Sequence, residues 1–392
     1  MDRKQLLSEW KRYPSAPKGC QSLLRWQKTR GWVGARVGFV HGRFVLHSEP
    51  GLSLVVKASR TDAFLPGDHV AAELTEANAD GSWNAKQICL LAPAEELPKL
   101  EWNPNWRPFL QKVRSFFIQK KFTEIETPSL TICPGLEPTL EPMAVGKKFL
   151  PTSPEIHLKK ALCLGFSDIF EIKNCFRDNE ISEHHQPEFH MLEWYRAYAD
   201  LELIIQDLSE LVQMVGGAKP EVTTFQNLFK KYLQIDLKPD TPRETYWQWC
   251  LKEKLHPNET DTKTDLFHRL WIDRVEKNLN EPTIVRDFPP EQAALARISP
   301  SGWADRFELF WQGLEIANAF HEVNDPNEQA QRWQIEKNER KRLERTTLPH
   351  DEELLTKMKM HGLPPTGGIA LGLERLFMAA HGVKDIRSLR LF

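Results

Sequence analysis

The 392-residue sequence contains no run of about 18 uncharged apolar residues, the least a membrane-spanning helix needs. Its opening, MDRKQLLSEWKRY, also lacks the apolar centre of a secretion signal. The expected setting is cytoplasmic, with no membrane partner. Six cysteines (20, 89, 133, 163, 175 and 250) are scattered without a CxxC pair, so a disulfide framework and a zinc knuckle are both disfavoured and reduced, packed thiols are expected. Four signatures are missing as well: a GxxxxGK(S/T) loop, a GxGxxG turn after a strand, HExxH and GxSxG. Any nucleotide must be held by other means. There is no internal repeat and no low-complexity tract.

What is present is ordinary in bulk and uneven in detail. A hydrophobic share of 41% with 27% charge supports a sizeable core. The net charge of −2 hides a basic start, because residues 1–60 carry twelve Lys and Arg against three Asp and Glu. Such an arm either meets a polyanionic or acidic partner or is a solvated tail.

Residues 1–12 predict a short amphipathic helix with Leu6, Leu7 and Trp10 on one side, ended by Pro14 and Pro17. From GWVGARVGFVHGRFVLHS to SWNAKQICLLAP, short alternating runs separated by Gly, Pro and Asp turns predict a small antiparallel barrel or sandwich. The proline-rich APAEELPKLEWNPNWRP marks a boundary, giving a basic β-rich segment over 1–95 and a larger domain over 100–392. In the larger part WRPFLQKVRSFFIQKKF has helical spacing and TEIETPSL reads as a strand stopped by Pro128. Strand-like runs recur at 168–177, 188–198 and 306–322, residues 200–280 are mostly helical, and GLERLFMAAHG closes as a helix ended by Gly382. Strands without regular β-α alternation predict an α+β domain with a largely antiparallel sheet.

Three segments carry chemistry. CFRDNEISEHHQPEFHMLEWYRAY reads as strand, loop, strand, with Arg177 ending the first strand and Glu188, Glu193 and Tyr195 along the second. Joint metal coordination by its histidines is disfavoured, since His184 and His185 would point oppositely on a strand and His190 follows Pro187. In DRFELFWQGLEIANAFHEVND, Gln312-Gly313 predicts a two-residue hairpin turn that sets Phe310 opposite Glu315 and Glu308 opposite Ala317. Glu308 and Glu315 would then share a face, either about a Mg²⁺ ion or turned to solvent. PPTGGIALGLERLF sets glycines before a helix bearing Arg375, a turn that is either structural or an approach for a phosphate.

In this order the segments resemble a class II aminoacyl-tRNA synthetase core of the lysyl-tRNA synthetase-like family. FTEIETPSL looks like motif 1, FRDNEISEHHQPEFHMLEWY like motif 2 and GGIALGLERLFM like motif 3, while TSPEIHLKKAL and GLEIANAFHEVNDPNEQAQRW look like lysine-pocket segments. The likeness covers about residues 100–392. His321 and Ala370 favour the truncated branch that modifies elongation factor P over the tRNA-charging branch; Asn179, Gln186 and Ala319 depart from the common pattern.

The resemblance implies an antiparallel sheet flanked by helices, behind a small β-rich, OB-like domain, and a ligase acting with ATP and Mg²⁺. It implies catalysis by Arg177 and Arg375, and ATP contacts from these with Asp178, Asn179, Gln186, Glu188, Glu315, Ile316 and Gly372. Glu308 and Glu315 would hold the metal. Lysine or β-lysine would lie against Ser153, Pro154, Glu155, Glu193, Tyr195, Asn318 and Glu322. The implied acceptor is a lysine side chain of elongation factor P, with tRNA the alternative and Trp32, Phe39 and Phe44 candidate stacking residues. Motif 1 implies a homodimer.

Overall fold

The computed structural model describes residues 3–9, 14–49, 52–59, 61–94 and 103–389. These form two compact units, one up to Pro104 and one from Asn105. Residues 95–102, within the expected boundary, lie outside the described set, as does Trp10.

In the first unit, helix α1 (Arg3–Glu9) is followed by the two-residue strand Gln21–Ser22 and five longer strands, β1 (Gly31–Val40), β2 (Arg43–Glu49), β3 (Leu52–Lys57), β4 (His69–Ala77) and β5 (Trp83–Ala92). Strand β1 pairs with both β2 and β4, β3 pairs in parallel with β5, and β5 pairs with β4. The ring therefore closes in the order β1-β2-β3-β5-β4-β1, a five-stranded OB-type barrel onto whose β1 the two-residue strand Gln21–Ser22 pairs in parallel. Val33, Val37, Leu46, Val70 and Ala72 fill its interior.

Asp68, fully buried just before β4, accepts hydrogen bonds from Arg3 Nη2 at 2.9 Å, Leu65 N at 2.9 Å and Ala94 N at 2.8 Å. A buried carboxylate needs such compensation. On α1, Leu6 is buried but Leu7 faces out, so the one-sided apolar face read from the sequence is narrower than expected. Phe44 is core and Phe39 is exposed.

The second unit contains helices α2 (Trp106–Gln119) and α3 (Glu155–Cys163), strands β6 (Asp168–Phe176) and β7 (Glu188–Ala197), and helix α4 (Leu201–Met214). Next come β8 (Glu221–Thr224), α5 (Phe225–Leu233), α6 (Arg243–Lys252), α7 (Lys263–Leu270), β9 (Thr283–Phe288), β10 (Ala304–Trp311) and β11 (Leu314–His321). The unit closes with α8 (Pro326–Arg342), α9 (Glu352–His361), β12 (Thr366–Gly372) and α10 (Leu373–His381).

The sheet runs β8-β9-β10-β11-β12-β7-β6, antiparallel from β9 to β6 and parallel at its β8 edge and where Thr123–Glu124 joins β6. The strand expected in TEIETPSL is thus cut to two residues. One face packs on α2, α4 and α10 through Phe117, Trp194, Leu208, Phe307, Leu309 and Phe377. The opposite face carries the polar groups that line a cavity.

The β10–β11 hairpin turns at Gln312 and Gly313, both with positive φ (56° and 69°), as an Asn-Gly-like turn requires. Phe310 faces Glu315 as expected, but Glu308 faces Asn318, not Ala317, because a bulge between Leu309 and Phe310 inserts one extra residue on β11. Partners directly opposite share a face, so Arg306, Glu308, Glu315 and Asn318 all point to the cavity side. Phe307, Leu309 and Ala317 point into the core. A regular hairpin would have turned Asn318 away.

Candidate active site

A cavity of about 1220 Å³ opens over the polar face of the sheet. It is roomier than most single-ligand pockets, as two substrates require. Its walls come from β7, β10, β11 and β12, from α3, α7 and α8, and from the loops 137–140 and 177–187. Buried Arg340 of α8 clamps the first loop, donating to Glu137 O at 2.8 Å, to Leu140 O at 2.6 Å and to Glu141 Oε2 at 3.0 Å. Helix α8 itself starts where Asp325 caps the amides of Asn327 and Glu328, with Pro326 at its first position.

One end of the cavity is cationic. Arg177 leaves its buried Nε without a partner, lies over the Phe189 ring at 5.0 Å and reaches Glu180 only at 4.0 Å. Arg375, in the first turn of α10, donates to Glu315 O at 2.9 Å and touches His185 Nε2. Burial, with Arg375 adding to it, pushes His185 down to about 4, so the ring is neutral at pH 7 and leaves the charge of Arg375 uncompensated.

Glu308 and Glu315 lie between the two ends. Burial and then the Glu315 charge push Glu308 up to about 8, and Arg306 ion-pairs with it while donating to Asn318 Oδ1 at 3.0 Å. Two neighbouring carboxylates, one of them with its proton affinity raised by the other's charge, offer the oxygen ligands that a divalent cation such as Mg²⁺ takes. Among the described residues no trio of His, Cys, Asp and Glu is placed to hold a metal ion.

The other end is acidic. Glu193, 1% exposed, accepts from Ser153 Oγ at 2.5 Å and from Tyr195 Oη at 3.0 Å; burial pushes its carboxyl well up. Glu322, also 1% exposed, pairs with Lys159 at 2.7 Å, and Lys159 pairs with Glu155 at 2.5 Å. Burial raises Glu322 to about 7 against the lowering effect of Lys159. Gly368 is obligatory beside them, since a Cβ there would stand 2.3 Å from Glu322 Oε1 and 2.4 Å from the Tyr195 ring.

Of the residues named from the sequence, Arg177, Gln186, Glu308, Glu315, Ile316, Gly372 and Arg375 line the cavity, as do Ser153, Glu155, Glu193, Tyr195, Asn318 and Glu322. Asp178, Asn179, Glu188 and Pro154 do not. Asp178 N is bound to Glu141 O at 2.8 Å, and Asn179 sits in a left-handed turn (φ 63°), so its neighbour Glu180 takes the inward place. Glu188 accepts from Asn174 Nδ2 at 2.7 Å on the neighbouring strand, and Pro154 caps α3.

Sequence reasoning missed His185, Arg306, Lys159 and Glu336, which are placed at or against the cavity. Arg306 stands two residues before Glu308 and therefore on its face, and Lys159 stands one helical turn after Glu155; both spacings were legible. His190 does not line the cavity but is tied at 2.7 Å to Glu374, which does.

Residues 107–392 match the family of class II tRNA synthetases (D, K and N). An elongation factor P--(R)-beta-lysine ligase of Haemophilus ducreyi is 33% identical over 319 residues, spanning 76% of this chain and 97% of that protein. The ligase of the same name from Haemophilus influenzae is 33% identical over 286 residues (69% and 88%), and that of Salmonella dublin 35% over 297 residues (71% and 90%). With the antiparallel sheet and the cavity in place, the chain belongs to the class II tRNA synthetase family, in its lysyl-tRNA synthetase-like branch with the elongation factor P ligases.

Proposed function

We propose that this ATP-dependent ligase activates lysine or β-lysine as an aminoacyl-adenylate and transfers it to a lysine side chain of elongation factor P. The observation that carries the reading is the bipolar cavity: uncompensated arginines at one end suit a polyphosphate, and carboxylates at the other suit an ammonium. The names of the relatives supply the acceptor.

The substrate carboxylate is ionised at neutral pH, so it attacks the α-phosphorus without a general base. An acyl–phosphate bond forms as the bond to pyrophosphate breaks. Arg177, with its free buried Nε, holds the α-phosphate as charge builds there, and Arg375 holds the γ-phosphate end, so catalysis is positioning and charge neutralisation. Glu308 and Glu315 would hold Mg²⁺, which when bound neutralises phosphate oxygens. Gly372 and Ile316 leave room for the nucleotide, and Gln186 offers an amide to the base. Glu322, Tyr195 and Glu193 take the side-chain ammonium, with Ser153, Glu155 and Asn318 around the rest of the amino acid. In the second step the acceptor amine attacks the acyl carbon, AMP leaves, and the amine proton passes to solvent.

A second reading, lysyl transfer to tRNA, draws on the closed OB-type ring and its basic composition, since such barrels bind oligonucleotides. A homodimer is proposed on six exposed large apolar side chains between Ile118 and Phe166. Incubation with ATP and labelled lysine or β-lysine, with elongation factor P and tRNA offered side by side, separates the readings. Label is expected on elongation factor P; label on tRNA alone overturns the first.

A further inference from the structure

The acidic end of the cavity has a cation built in behind its wall. Lys159 lies on α3 four residues after Glu155, is 1% exposed, and sets Nζ between Glu155 Oε1 at 2.5 Å and Glu322 Oε2 at 2.7 Å. It engages one oxygen of each carboxylate. Glu322 Oε1 is left beside Gly368 and the Tyr195 ring, where the cavity wall continues.

Charged groups face it from several elements. Glu155 comes from α3, Glu193 from β7 beside neutral Tyr195, Glu322 from just past β11, Glu336 from α8 and Glu137 from the 137–140 loop, while Arg297 donates to Glu322 O at 2.8 Å. A buried ammonium held by two carboxylates is far more costly to break than an exposed one, and two buried carboxylates without it would repel.

We propose that Lys159 is a positioning residue for amino-acid recognition, an internal counter-ion that fixes Glu155 and Glu322 and leaves the pocket one net negative charge for one substrate ammonium. This rests on the proposed reading that the pocket takes a lysine-like amine. The charge arithmetic supports it. Burial keeps the Glu193 carboxyl well up and protonated, raises Glu336 to about 8 and raises Glu137 as well, so near pH 7 the two carboxylates in contact with Lys159 face one internal ammonium. One further cation balances the pocket, and a neutral isostere leaves it unbalanced.

Removing Lys159 has a signature that lost packing does not share. Without it the buried Glu322 carboxyl loses the partner that lowers it and keeps its proton to higher pH, and an incoming ammonium must displace that proton. In the wild type, lysine affinity should improve as pH rises through about 7, where Glu322 ionises. In Lys159→Met, which nearly conserves volume, that rise moves up by about one pH unit or more, and KM for lysine at pH 7 increases about 100-fold. The turnover number and KM for ATP stay within about threefold, because the phosphate end is untouched.

The experiment measures lysine-dependent ATP–pyrophosphate exchange from pH 6 to 9 for wild type and Lys159→Met, with Lys159→Gln replacing the methionine variant if the latter does not fold. A shifted profile with unchanged ATP KM supports the proposal. An unshifted profile, or a raised KM independent of pH, overturns it. A second reading needs no substrate: difference infrared spectra at pH 8 should show one more protonated carboxyl band in the variant than in the wild type, and no gain overturns the proposal. Wild-type protein that exchanges with neither lysine nor β-lysine would sink the reading of the pocket, while the infrared result would still decide the counter-ion.

Discussion

The two ends of the cavity handle buried charge in opposite ways. At the acidic end each carboxylate is engaged by the protein itself, Glu193 by Ser153 and Tyr195, Glu155 and Glu322 by Lys159. At the cationic end Arg375 is held by a carbonyl and a neutral histidine, and Arg177 is almost unengaged. The lesson is that the acidic end is preset for a ligand of small charge, whereas the cationic end keeps two arginines only loosely engaged, Arg177 reaching Glu180 at 4.0 Å, and suits an anion.

The sharpest way to break this contrast is at the cationic end. Arg177→Ala should lower pyrophosphate exchange by about 10³-fold with a native circular dichroism spectrum, the scale of losing a preorganised charge partner in a transition state. At the acidic end Glu322→Gln should raise KM for lysine about 100-fold while KM for ATP barely moves, because one partner of a buried pair is lost; equal damage to both constants would erase the distinction between the ends.

His185→Ala tests the neutral brace on Arg375. A rise of about three- to tenfold in KM for ATP is expected, with KM for lysine unchanged. The smallest effect is on stability. Withdrawal from water raises Glu322 from 4.5 to about 7 and Glu336 from 4.5 to about 8. Between pH 4.5 and 8 these two carboxyls therefore bind more protons in the folded chain than in the unfolded one, and their contribution to stability falls as pH rises through that window, while lowered histidines such as His185 act the other way below about 6.5. The melting temperature should drop from pH 5 to pH 9, and Glu336→Gln should flatten the drop by about 2–4 °C.

Much of this architecture was legible in the sequence because it rests on local signals. The α2 helix follows from its apolar spacing, the end of α10 from Gly382 in a left-handed conformation, and the hairpin from Gln312-Gly313. Spacing also carried Arg177, Arg375, Glu193 and Tyr195 to the right strands and helix. What was lost depended on geometry beyond the neighbour. The bulge cannot be read from a hairpin that alternates acceptably without it, and Asn179 falls outside the cavity because one left-handed residue turns the loop. The helical spacing of Lys159 from Glu155 was legible, but only the return of Glu322 from over 160 residues later made it a buried bridge between two carboxylates. The barrel closure depends likewise on β1 pairing with two strands at once.

The bulge in β11 makes the site sensitive to parity. Insertion or deletion of one residue between Leu309 and Asn318 would swap inside for outside along one flank of the hairpin, bringing apolar side chains to the nucleotide and sending an amide into the core. A change of two residues would restore the sides while moving the turn. Length variation tolerated in this hairpin should therefore come in even steps, a constraint set by the pleat and not by the identity of any residue in it.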